Sequence, residues 1–217
     1  MQECGSLKQI RKLICLGMLS NCQLTANMKY KKCKRYNIPS HIHALTFSCY
    51  KMLPLLSETL FCEFLIDSIK NAKKVHSFDL LAYVIMPDHV HLLIWPRNSI
   101  YSISAILHTI KQPVARRAIN HAKHLNKELL RLMSTGQTVR PCHFWQKGGG
   151  FDKNICNSTG LFNMIEYMHN NPVRRGLIDK AVNWKWSSAG EWAGMTENKG
   201  ITDIGGAAFG STSPNRI

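Results

Sequence analysis

The sequence is short of negative charge. Its 217 residues hold 13 Asp and Glu against 28 Lys and Arg, a formal charge of +15. An excess of that size favours a polyanionic partner, nucleic acid ahead of an anionic membrane surface. No stretch approaches the roughly 20 consecutive apolar residues that cross a bilayer, so the sequence offers no membrane-spanning helix. None of the eight cysteines (Cys4, Cys15, Cys22, Cys33, Cys49, Cys62, Cys142 and Cys156) sits at CxxC spacing. That removes the usual zinc-knuckle and dithiol redox patterns. Several, such as Cys49 and Cys62, lie in apolar runs and read as buried thiols in a reducing cytoplasm rather than as a disulfide framework. There is no internal repeat and no low-complexity segment. What is present is an apolar fraction of 45%, enough for one domain with a core and appended ends.

The beginning of the chain admits two readings. Lys8, Arg11 and Lys12 precede the apolar run 13–19, and Cys22 follows. This resembles a poor secretory signal, with a short apolar run and an unsuitable Asn21 before a lipidation cysteine. Met28 then opens the basic stretch Lys29-Tyr30-Lys31-Lys32-Cys33-Lys34-Arg35. Either Met28 is the natural start, in which case a chain beginning there folds and binds as well as the longer one, or residues 1–27 form a genuine N-terminal helix. Residues 1–39 are read as a basic extension, and residues 193–217, rich in Gly, Ser and Thr at their end, as a flexible tail.

Between these ends the pattern predicts strand, helix, strand, strand, helix, strand, helix. Residues 41–50 and 78–86 are rich in β-branched and aromatic residues and read as strands. Ser57 begins a helix with Glu58 in its first turn and Lys70, Lys73 and Lys74 at its end. Pro87-Asp88 is a turn signal, and 89–95 is the next strand. A basic helix follows from Ile103 to about Leu125, with Pro113 expected to kink or split it. Residues 139–146 read as a strand, Gly148-Gly149-Gly150 as a flexible joint, and Leu161 to about Asn170 as a helix ended by Pro172. This order suits an α+β sandwich, with helices on one face of an antiparallel sheet.

Two constellations carry candidate chemistry. In His89-Val90-His91 the alternation of a strand puts both imidazoles on one face and leaves Val90, Leu92 and Ile94 to the other. Imidazoles about 7 Å apart along a strand can reach one divalent cation. The plainer reading is two half-exposed histidines on a sheet face. In the last helix Leu161, Met164, Ile165 and Met168 form the apolar stripe. Tyr167 and Asn171 lie within roughly 40° of each other beside it. A phenol can act as a nucleophile and an amide oxygen as a hard metal ligand. The plainer reading is a tyrosine at the core's edge and a helix-ending asparagine before Pro172.

Taken together, the run Met86-Pro87-Asp88-His89-Val90-His91 resembles the HUH motif of single-tyrosine transposases. So do Phe144-Trp145-Gln146-Lys147-Gly148-Gly149-Gly150-Phe151-Asp152-Lys153-Asn154-Ile155, Glu166-Tyr167-Met168-His169-Asn170-Asn171-Pro172-Val173-Arg174-Arg175-Gly176-Leu177 and Asn183-Trp184-Lys185-Trp186-Ser187-Ser188. The resemblance is to the REP-associated tyrosine transposases, in order and spacing from about Ser40 to Ser188, within a domain of residues 40–192. It departs at Phe151, where a tyrosine is expected.

This resemblance implies a ferredoxin-like sheet with the catalytic Tyr167 on a C-terminal helix. It implies His89, His91 and Asn171 as ligands of Mg²⁺ or Mn²⁺, and single-stranded or hairpin DNA as the partner of a monomer or homodimer. Tyr167 would attack a phosphodiester to leave a 5′-phosphotyrosine and a free 3′-hydroxyl, and the reverse attack would transfer the strand. His169, though adjacent, is expected to point elsewhere. Lys111, Arg116, Arg117, Arg174 and Arg175 are candidates for phosphate contacts, or else solvated charges. Trp145, Trp184 and Trp186 are candidates for base stacking or, ahead of that, core packing. Two alternatives stay open: a hairpin DNA- or RNA-binding protein that no longer cuts, and a metal-dependent nuclease that uses water.

Overall fold

The computed structural model describes residues 35–139, 141–148, 150–195 and 201–202. The expectations for Met28, for residues 1–27 and for most of the tail lie outside these residues. Four strands form one antiparallel sheet: β1 (Ile42–Ser48), β2 (Phe78–Ile85), β3 (His89–Pro96) and β4 (Phe151–Ile155), in the spatial order β2-β3-β1-β4. The helices are α1 (Thr59–His76), α2 (Ile103–Leu125), α3 (Lys127–Leu132), α4 (Ser158–His169), α5 (Asn171–Arg174) and α6 (Ala189–Trp192). Strand, helix, strand, strand, helix, strand in that pairing is the split-βαβ, ferredoxin-like arrangement.

The alternation in β3 builds two cores. Val90, Leu92 and Ile94 point to one face, where Leu45 and Phe47 of β1 join Phe61, Leu65 and Ile69 of α1 and Ile106, Ile110 and Val114 of α2. Leu93 and Trp95 point to the other, with Ile42, Ala44, Leu161, Ile165 and Met168. A register shift between Leu80 and Ala82 keeps Tyr83 and Ile85 on the α1–α2 side as β2 continues; a bulge of one residue resets which face the alternation serves. The helices therefore do not all share one face, as the sequence pattern had them. The two long ones do, while α4 covers the opposite face, because β1, β2 and β3 are apolar on both sides and a bare apolar face would stay in water. Cys49 and Cys62 are buried as expected, and the Cys62 thiol donates to the Leu56 carbonyl.

Three further expectations change. Pro113 does not split α2, which is one helix with Ile106, Ile110, Val114, Ala118 and Ala122 buried along its length. That continuous stripe outweighs the loss of one helical hydrogen bond, a cost of about 3 kcal/mol. Among the described residues, 139 and 141–146 do not form a strand. Cys142 and Trp145 make only isolated bridges, to Ser134 and Cys49; Val139 is 92% exposed, and Pro141 has no N–H to offer a ladder. The fourth strand is instead Phe151–Ile155, an edge strand with alternating exposure.

Gly150, directly before β4, is a close approach to β1 rather than part of a joint. Gly150 has φ +70°, and a Cβ there would stand 2.1 Å from the Thr46 carbonyl oxygen of β1. Gly150→Ala combines a left-handed backbone with a collision against main chain. The expected cost is about 2–3 kcal/mol or more, a fall in melting temperature of roughly 5–10 °C. An unchanged melting curve would show that β4 does not dock as described.

The outer edge of β2 is covered by the segment that closes the domain. The Ile85 N–H donates to the Trp186 carbonyl and the Ser188 N–H to the Tyr83 carbonyl, around an antiparallel bridge between Val84 and Ser187. The Trp184 and Trp192 indoles donate to the carbonyls of Ile85 and Leu81. The Ser188 hydroxyl also accepts from the Tyr83 N–H, so side chains of Trp184, Ser188 and Trp192 join the main chain in covering this edge.

Candidate active site

β3 presents His89 and His91 on the α4 side of the sheet, where both are nearly buried. Their Nε2 atoms stand 3.0 Å apart, with the rings edge to face. Each Nδ1 is held from behind. His89 Nδ1 lies 2.6 Å from Asp88 Oδ1, and His91 Nδ1 lies 2.8 Å from the Thr46 hydroxyl on β1, its cross-strand partner. A third potential donor arrives from α5. α4 ends at His169, just before Pro172 as expected, and Pro172 sits in the first turn of the short helix that follows, where a missing N–H costs nothing. The turn buries Asn171 and sets its side-chain amide 2.7 Å from His91 Nε2.

Tyr167, on the last turn of α4, stands beside this group. Its ring meets His91 edge-on at 6.0 Å, and the Arg174 guanidinium lies 5.1 Å from its centre on the face. It is 47% exposed. The next residue, Arg175, turns the other way and donates to Asp88 Oδ2 at 2.9 Å. The result is a cleft of about 440 Å³ lined by His89, His91, Tyr167, Asn171, Arg174 and Arg175, with Thr46, Ser48 and Met52 at its wall.

The electrostatics suit donors rather than cations. Burial, together with the charges of His89 and Arg175, pushes His91 down to about 3, so its imidazole is neutral and its lone pair available. For Asp88 burial works upward, but hydrogen bonds from His89 and Arg175 prevail and hold the carboxyl below its ordinary range. It is therefore an ionised acceptor that orients His89. Among the described residues no group of three or more His, Cys, Asp or Glu could hold a metal ion. A cation here needs the Asn171 amide as its third donor. The donor set fits one: the two imidazole Nε2 atoms stand side by side, and the amide exchanges its nitrogen and oxygen by a half-turn. Cis ligands of an octahedral ion with bonds near 2.1 Å stand about 3.0 Å apart, which matches the two imidazole nitrogens.

The remaining candidates divide. Arg174 and Arg175 line the cleft, whereas Lys111, Arg116 and Arg117 are on α2, across the sheet from it. Arg117 pairs with Asp67 and stacks on Phe64. Lys111 lies over Phe47 and Trp145, and burial lowers its pKa. With Arg35 and Trp145 it lines a separate groove of about 410 Å³. Trp145 and Trp184 are packed, with their indole N–H groups on the Lys111 and Ile85 carbonyls, so both serve the fold. His169 points away as expected. Its Nε2 meets the Ser188 hydroxyl in the α4-side core, and burial pushes it down to about 4. Thr46, Ser48 and Asp88 were not singled out from the sequence. Only Asp88 left a signal, its place directly before His89, and that was read as a turn.

Comparison with known proteins points one way. Residues 36–171 match a protein-family model described as transposase IS200 like. A relative from Haemophilus influenzae, described as a REP-associated tyrosine transposase, is 25% identical over 122 residues, covering 56% of this chain. The chain spans 65% of that relative's length. The solved structure of a REP-associated tyrosine transposase bound to a REP hairpin superposes with a TM-score of 0.59 at 19% identity, over 87% of this chain and 99% of that one. At that identity the likeness establishes the fold.

Proposed function

The chain belongs to the IS200-like transposase family, and from that premise we propose that it cuts and rejoins single-stranded DNA at a hairpin through a covalent bond to Tyr167. The observation that carries this reading is the convergence of His89, His91 and the Asn171 amide beside a half-exposed tyrosine in one cleft.

His89 and His91 offer Nε2 lone pairs and Asn171 its amide oxygen, so these three would hold Mg²⁺ or Mn²⁺. When bound, such an ion neutralises the scissile phosphate and orients it. The rest is done by the chain. Asp88 and Thr46 fix the two imidazoles, so that neither ring need turn on use. The edge-on contact with His91 and the Arg174 guanidinium restrict the Tyr167 ring, and Arg174 places positive charge over the ring whose oxygen must become negative. The Tyr167 oxygen attacks phosphorus, the bond from phosphorus to the 3′-oxygen breaks, and the phenolic proton is balanced by the one the new 3′-hydroxyl acquires. The phosphotyrosine keeps the bond energy, so a second 3′-hydroxyl can reverse the step and join a different strand.

The test is incubation with single-stranded hairpin oligonucleotides and Mn²⁺, followed by a denaturing gel. A protein–DNA adduct that survives boiling in detergent is expected. Cleavage without an adduct would indicate water as the nucleophile, and binding without cleavage a hairpin-binding protein.

The charge makes a separate prediction. Affinity for the hairpin should exceed that for a blunt duplex, and should fall with rising salt at a logarithmic slope of about −0.7 for each phosphate contacted. Equal affinity for blunt duplex, or a flat salt profile by anisotropy, would contradict it.

A further inference from the structure

His89 and His91 face each other through Nε2 atoms 3.0 Å apart. When both rings are neutral, a pair of imidazoles so placed has two arrangements. One Nε2 can carry a hydrogen and donate it to the other, which closes the pair on itself. Alternatively both can carry lone pairs, which leaves the pair open to a cation. A neutral imidazole has one N–H, so the choice is made at each Nδ1. His91 has the Thr46 hydroxyl at Nδ1 and the Asn171 amide at Nε2. With Nδ1–H donated to Thr46, its Nε2 is bare.

For His89 the choice belongs to Asp88. Asp88 Oδ2 accepts from Arg175 at 2.9 Å, and Oδ1 stands 2.6 Å from His89 Nδ1. A carboxylate only accepts, so His89 keeps a hydrogen on Nδ1, and in the neutral ring that leaves Nε2 with its lone pair toward His91. We propose that Asp88, clamped by Arg175, is a positioning residue that holds the His89–His91 pair in its open tautomer and so prevents it from closing as a hydrogen-bonded pair. The use of that open pair for a cation rests on the function proposed above; the tautomer itself does not.

Arg175 makes the inference testable, because a guanidinium has donors and no acceptor. In Asp88→Asn the volume is unchanged, but only one amide orientation suits Arg175, with the oxygen toward it. The amide nitrogen then faces His89 Nδ1, which must accept. The hydrogen moves to Nε2 and is donated to His91, and the pair closes.

The experiment uses the full chain with ¹⁵N-labelled histidine, metal-free, with the tautomer of His89 read from its long-range ¹H–¹⁵N couplings. Wild type should show Nδ1–H at His89 and Asp88→Asn should show Nε2–H. Calorimetric titration with Mn²⁺ should give an affinity about 10–100-fold weaker in Asp88→Asn. In Asp88→Asn with Arg175→Met the amide is free to turn its oxygen to His89, and several-fold of that affinity should return. A plain packing defect cannot give such recovery from a second substitution. Nε2–H on His89 in the wild type overturns the proposal even if Asp88→Asn does not fold. So does Nδ1–H retained in a folded Asp88→Asn, or unaltered Mn²⁺ affinity in that variant. If the wild type binds no Mn²⁺ at all, the cation reading fails, and the tautomer measurement still judges Asp88.

Discussion

Tyr167→Phe should bind a hairpin oligonucleotide within a few fold of wild type and form no adduct that resists boiling in detergent. The substitution removes one oxygen from a half-exposed side chain and keeps the ring. The edge contact with His91 and the stacking of Arg174 both survive it. The α4 stripe of Leu161, Ile165 and Met168, which does the packing, is untouched. Stability should therefore move by no more than about 0.5 kcal/mol. Cleavage has no such reserve, because the phenol oxygen is the proposed bond-forming atom. A variant that still cuts would make water or another side chain the nucleophile. A variant that loses binding as well would make Tyr167 a structural residue.

His91→Ala should abolish cleavage, by at least about a hundredfold, with the fold retained. His91 occupies the middle of the site, touching His89, Thr46, Asn171 and Tyr167. It lies at the cleft wall, on the opposite side of β3 from Val90 and Leu92, so its loss opens space toward solvent rather than in the α1–α2 core. His89→Ala should behave alike. Asn171→Ala should be milder, because a neutral amide oxygen is the weakest of the three ligands. Rates as a function of Mn²⁺ concentration test this ordering: the histidine variants should stay inactive at any concentration, and the Asn171 variant should recover as Mn²⁺ rises. Full activity in His91→Ala would end the metal-site reading.

What could be read from the sequence follows from the range of each interaction. Alternation along β3 is local, so His89 and His91 were placed on one face correctly. Helical spacing is nearly as local, so Tyr167 and Asn171 were brought to one side even though the chain restarts as a new helix between them. Asp88 was missed as a site residue because its second partner, Arg175, is 87 positions away; before His89 an aspartate after proline looks like any turn. β4 was missed for the opposite reason. Phe151-Asp152-Lys153-Asn154-Ile155 is a polar edge strand with little hydrophobic pattern, held by its register against β1, and its evidence lies in Thr46 rather than in itself. The apolar residues near 139–146 pointed to a strand, yet Phe144 and Trp145 enter the α1–α2 core without one. The two-sided core also escaped the pattern, since the unbroken apolar run Leu92-Leu93-Ile94-Trp95 of β3 does not say which helix will cover which face.

The cover on β2 has a bearing on how the chain is made. Synthesis delivers all four strands once Ile155 has emerged, and the sheet can then assemble. β2 is nonetheless an outer strand, with the main-chain groups of Tyr83 and Ile85 unclaimed until Trp186 and Ser188 follow. For that interval the nascent domain displays an unpaired, strongly apolar strand, the template on which chains join edge to edge. A message cut short before Trp184 would fix the chain in that state, with its cleft residues all translated and its sheet still open to a neighbour.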